Sequence, residues 1–307
     1  MRWRGNRKSS NVEDRRSVNS NAMRSSGGRG GSNLLRLLPM AYKVLGFKGS
    51  VIAVVLVVGY GLYSGNLQNI IALLGGQQSA PSATNSQPFT QSAKEKELAE
   101  FISVVLADTE DTWSTIFKKH GLTYQEPKLV LFRGAVKSAC GTAQSAMGPF
   151  YCPADKQVYI DLGFYEQLEK QLNAPGDFAQ AYVIAHEVGH HIQTLLGTSQ
   201  KVHTASRKLS KTDANKLSVR QELQADCYAG IWAFHADKYR QLLEPGDIEE
   251  GLTAASAIGD DTLQKQSQGY VSPDSFTHGS AKQRVKWFKT GLTSGDLASC
   301  DTFTGKY

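Results

Sequence analysis

The chain has 307 residues, carries 34 Lys and Arg against 28 Asp and Glu, and is 40% apolar. That is enough chain to bury a substantial core in one large domain or two modest ones, and the composition excludes a collagen, a disulfide mini-protein, a polytopic membrane protein and a wholly disordered acidic chain. The basic excess would suit a nucleic-acid binder only if folded sequence carried it; instead residues 1–48 hold eleven Lys/Arg and two acids, a net +9, while the remaining 259 residues net −3.

The first 33 residues are rich in Arg, Ser, Asn and Gly, a disordered composition, so residues 1–48 read as a basic, disordered tail. Gly49 to Gly65 contains no charged residue, and its seventeen positions at about 1.5 Å each reach the lower end of a bilayer's hydrocarbon core. A buried strand or core helix shows a similar run. The one-sided basic flank favours a transmembrane signal anchor over 49–65, with the tail cytoplasmic and everything beyond it across the membrane. Residues 66–94 read as a flexible linker, Gly/Ser/Gln/Pro-rich from 75 onward.

Periodicity begins near Glu95. Leu98, Phe101, Ile102, Val105, Leu106, Trp113, Ile116 and Phe117 fall at steps of three and four, which predicts an amphipathic helix. Lys128–Arg133 and Lys156–Leu162 are strand candidates. Helical patterns follow over about 177–196, 215–239, 245–267 and 280–292. Helix, then strands, then helices predicts a single α+β domain over 95–307, mostly helical with a small sheet and preceded by one transmembrane helix.

All four cysteines, Cys140, Cys152, Cys227 and Cys300, lie beyond the apolar run. An even number on the non-cytoplasmic side suggests two disulfides. Cys140–Cys152 with Cys227–Cys300 is the preferred pairing of the three possible. The spacings disfavour a zinc knuckle.

The chemistry is carried by His186-Glu187-Val188-Gly189-His190, an H-E-x-x-H in a segment of helical character. Residues four apart share a helix face, so both imidazoles can reach one ion. Glu187, offset by about 100°, can reach a water activated by that ion without ligating it. His191 is off the shared face. Ala181, Val183, Ile184, Ala185, Val188 and Ile192 make the helix apolar on most sides, and two histidines and a glutamate buried there need a compensating partner. Zn²⁺ suits two imidazoles and a carboxylate with one position open. Glu222 is the candidate third ligand, and Asp226, four residues on, the carboxylate that orients a ligand histidine. The bland alternative for Glu222 is a surface charge paired with Arg220. His278 is a candidate donor to an oxyanion, a rival third ligand, or simply a polar residue before the N-cap candidate Ser280. His120, His203 and His235 show no partner pattern.

These segments resemble the bacterial neutral zinc metallopeptidase family: the N-terminal MRWRGNRKSSNVEDRR, then YCPADKQVYIDLGFY (151–165), AHEVGHHIQ (185–193), ELQADCYAGIWA (222–233) and HGSAKQRVKWFKTGL (278–292). The resemblance implies a zincin-like domain with Zn²⁺ as cofactor and a protein or peptide substrate. Glu222 and Asp226 resemble the E-x-x-x-D element of glutamate-type zincins. Together with the apolar run it places the chain in the bacterial inner membrane, with the catalytic domain extracytoplasmic. The expected activity is peptide-bond hydrolysis with Glu187 as general base. The alternative is a non-catalytic envelope binding module with a structural zinc. No nucleic-acid partner is expected.

Overall fold

A computed structural model describes residues 1–17 and 91–304. The span expected at 49–65, the tail from residue 18 and the linker up to residue 90 lie outside the described residues. Among the described residues no helix is long and apolar enough to cross a membrane.

Residues 1–17 correct the reading of a disordered tail. They run along the domain as an extended strap. Met1 and Trp3 are buried, and the Trp3 ring meets Phe101 edge-on at 5.5 Å. Ser9 and Ser103 exchange hydrogen bonds of 3.0 Å. Strand β1 (Val12–Asp14) joins the sheet. Three basic residues of the strap meet acids of the first helix: Arg4 pairs with Glu97, Lys8 with Glu100 at 2.7 Å, and Arg7 with Glu110 at 3.0 Å. The strap folds because Met1, Trp3 and Val12 supply apolar anchors that a composition average over 33 residues conceals. Residues 1–17 thus pack against the domain formed by residues 91–304.

Helix α1 (Ala93–Lys119) starts inside the expected linker, because Ser92 and Glu95 form a reciprocal capping box. Its apolar face buries Phe101, Ile102, Val105, Leu106, Trp113, Ile116 and Phe117. Strand β2 (Lys128–Phe132) is followed by the hairpin β3 (Ala135–Ser138) and β4 (Gly141–Gln144), then β5 (Phe150–Cys152) and β6 (Gln157–Asp161). The four-stranded sheet has the order β1-β2-β6-β5, parallel except for β5, which pairs antiparallel to β6 at the edge. Leu129, Leu131, Val158 and Ile160 face the main core, while Val130, Phe132 and Tyr159 face a smaller cluster with Val136 and Ala143 from the hairpin. Burial on both faces explains the unbroken apolar run in β2.

Helices α2 (Gly163–Lys170), α3 (Asp177–Leu195), α4 (Thr198–Ser206), α5 (Lys211–Arg240), α6 (Asp247–Ala257), α7 (Asp260–Gln268) and α8 (Ala281–Ser294) complete the α+β domain. The single helix expected over 245–267 is two helices. The chain turns extended at Gly259, where an added Cβ would collide with the backbone of Ala281. Helices α5 and α8 also approach backbone to backbone, with Gly230 facing Phe288 and Gly291 facing Cys227. Both preferred disulfides are present, Cys140–Cys152 with Cα atoms 5.8 Å apart and Cys227–Cys300 with 5.7 Å.

Candidate metal centre

Helix α3 is buried nearly all round, so its polar residues must find partners within the fold. His186 and His190 lie on its cleft-facing side. The Nδ1 of His186 lies 2.8 Å from Asp226 Oδ1, and that of His190 lies 3.0 Å from Gln193 Oε1. With both Nδ1 atoms engaged, the two Nε2 atoms point to a common place. Glu222 Oε2, from the facing helix α5, sits 3.2 Å from one and 3.4 Å from the other. The three candidate ligand atoms all lie within 4.8 Å of one another.

Gly189 permits this approach. A Cβ at that position would stand 2.9 Å from the Ala225 carbonyl oxygen. A side chain there would wedge α3 away from α5 and part the histidines from Glu222.

Asp226 is fully buried and well satisfied. It accepts hydrogen bonds from the Tyr182 hydroxyl, from His186 and from Arg284, whose Nε and Nη2 each lie 2.9 Å from a carboxylate oxygen. Burial opposes its ionisation, but Arg284 and His186 outweigh this and hold it at about 2. Burial likewise opposes a charge on Glu222, and the two histidines hold that carboxyl well below the usual range. Burial disfavours protonation of His186, yet Asp226 and Glu222 raise it to about 9. The cluster thus attracts positive charge, and its donor set of two imidazoles and one carboxylate fits Zn²⁺.

Glu187 is buried beside this trio and lines the same cleft, a cavity of ≈ 540 Å³. Its lining comes from β5 and the turn before it, from α2, α3 and α5, and from Ile258 and Leu263.

His278 lines the cleft but is outside the ligand trio, so its role as rival ligand is not what the geometry supports. Its Nδ1 is 3.2 Å from Asp260 Oδ1, and Asp260 Oδ2 also accepts the backbone N–H groups of Thr277, His278 and Gly279. The hydrogen bond to Asp260 raises the His278 pKa. His191 is a buried strut: Tyr151 of β5 bonds its Nδ1 at 3.0 Å, and its Nε2 reaches the Gln125 carbonyl at 2.6 Å. His120, His203 and His235 stand outside the cluster. Arg284, Gln193 and Asp260 escaped the sequence reading. For Arg284 the available signal was a lone arginine in an otherwise amphipathic helix.

A family model described as "Putative neutral zinc metallopeptidase" matches residues 1–303. The chain is 51% identical over 303 residues to the uncharacterized protein YpfJ of Escherichia coli (strain K12), covering 99% of each. It is 42% identical over 214 residues to the uncharacterized protein Mb2605 of Mycobacterium bovis, covering 66% of this chain and 71% of the relative. No solved structure matches the chain.

Proposed function

The chain belongs to this zinc metallopeptidase family, and from that premise we propose that it is a zincin-like peptidase that hydrolyses peptide bonds in the cleft of His186, His190 and Glu222. The observation that carries the reading is the convergence of those three ligand atoms within 4.8 Å in the wall of a cleft that Glu187 also lines. Zn²⁺, when bound, supplies Lewis-acid polarisation of the scissile carbonyl and acidifies water.

The protein's residues do the rest. His186, His190 and Glu222 hold the ion. Asp226 and Gln193 fix the ring orientations, so the Nε2 atoms stay aimed without rearrangement. Glu187 takes the proton of the attacking water and returns it to the leaving amine. His278, fixed by Asp260, donates to the developing oxyanion.

The test is Glu187→Gln in zinc-loaded protein. The expected result is retained zinc with loss of casein hydrolysis. Normal cleavage by that variant would overturn the assignment of the base, and a wild type that holds zinc but cleaves nothing would favour the non-catalytic envelope module.

Residues 49–65 are our candidate for attachment to the inner membrane. The strap and the domain then share one side, and the two disulfides support the reading of that side as an oxidising, extracytoplasmic compartment. The positive-inside argument loses its force for Arg4, Arg7 and Lys8, because acids of α1 engage them.

A further inference from the structure

We infer that the cleft selects uncharged, apolar peptide segments, the kind that unfolded or partly folded chains expose. The inference rests on the peptidase reading and names its substrate class.

The argument starts from charge. Among the described residues that line the cleft there is no Lys and no Asp, and the formally charged ones are Glu187, Glu222 and Arg284. Each is committed. Glu222 faces the two histidines and the Arg284 guanidinium is held by Asp226, while Glu187, which we assign as the base, belongs to the metal centre. His278 is held through its Nδ1 by Asp260, and its other nitrogen is the oxyanion donor of the same centre. The remaining polar side chains of the lining are neutral: Gln167, Gln171, Gln221, Ser199 and Tyr151. A charged substrate side chain seated away from the metal centre would give up hydration and meet no Lys, Arg, Asp or Glu among the lining residues there.

Apolar side chains are offered the opposite. Phe164, Leu172, Val183 and Ile258 line the cavity, and Leu263 and Met147 stand at its rim, 37% and 70% exposed. Exposed apolar side chains at the edge of a concave site gain from covering, and an unbranched methionine adapts to several partner shapes. The volume of ≈ 540 Å³ holds a few side chains rather than a folded partner. Segments of this composition are buried in native proteins and become available when a fold opens.

The experiment uses full-length, zinc-loaded protein and a library of peptides from a denatured proteome. Wild-type cleavage sites are read by mass spectrometry. Retention of intact peptides is read separately on Glu187→Gln. The expected result is depletion of Asp, Glu, Lys and Arg around the cut, and among retained peptides, by about ten-fold relative to Leu, Phe, Val and Met. Met147→Glu and Leu263→Glu place a carboxylate on exposed rim positions, and both are expected to recruit Lys- and Arg-containing peptides while keeping zinc and Tm. If Glu187→Gln retains charged and apolar peptides equally, or retains none, the inference is overturned whatever the wild type cleaves. If it retains apolar peptides while the wild type cleaves nothing, the selectivity stands and the peptidase reading falls.

Discussion

Asp226 and Arg284 form a buried, two-point ion pair directly behind His186, with both N···O distances at 2.9 Å. The pair is 58 residues apart in sequence and joins α5 to α8. It fixes the oxygen that holds His186 Nδ1, so α8 contributes to the geometry of the metal centre without presenting a ligand.

Removing Arg284 takes the guanidinium from a buried carboxylate and leaves it only Tyr182 and His186. Arg284→Met is expected to cost about 3–5 kcal/mol in urea unfolding. Asp226→Asn keeps the shape but weakens the hold on His186, and zinc affinity measured by chelator competition is expected to fall about 10–100-fold. Unchanged affinity in Asp226→Asn would mean that the carboxylate does not set the ligand's orientation.

His191 makes a pH prediction. Burial pushes its pKa down to about 4, against an ordinary value near 6.5. The unfolded state therefore binds the proton more readily. The stability that neutral His191 contributes is complete above about pH 6.5 and is lost as the pH falls toward 4, in total about 3 kcal/mol. The urea midpoint of the wild type should drop between pH 7 and pH 5 more steeply than that of His191→Gln. Parallel profiles would remove His191 as the cause.

How much of this was legible in the sequence depends on locality. His186 and His190 were legible because their relation is four residues on one helix, and their shared face follows from helical pitch alone. Glu222 and Asp226 were legible only as a second helical pair, since nothing local says that α5 faces α3. Arg284 and Asp260 were not, because their partners are set by tertiary packing. The break at Gly259 was hidden because a single glycine is tolerated within a helical pattern. The three-residue β1 carries too little alternation to stand out, and its partner β2 lies more than a hundred residues away.

Gly189→Ala tests the close approach of α3 and α5. Alanine favours an isolated helix over glycine by roughly 1 kcal/mol. Here its Cβ would meet the Ala225 carbonyl at 2.9 Å, so the variant is expected to be less stable, by about 1–3 kcal/mol. The same displacement moves both histidines from Glu222, so zinc affinity should fall together with Tm. A variant with raised Tm and full zinc binding would show that the two helices have room to spare.

The strap gives the last prediction. Trp3 is 6% exposed and packs on Phe101 of α1, so Trp3→Ala removes a large apolar contact and leaves a cavity. The expected cost is about 3–5 kcal/mol, a fall on the order of 10 °C in Tm for a domain of this size. Replacing Arg4 and Lys8 by Gln should do much less, because their pairs with Glu97 and Glu100 are exposed and screened by solvent. The apolar anchors thus hold the strap, and the basic residues steer it to the acidic face of α1. If Trp3→Ala and the charge variants shift Tm equally little, residues 1–17 are not part of the folded domain in solution, and the separation of a +9 tail from a −3 remainder returns to being a matter of membrane topology alone.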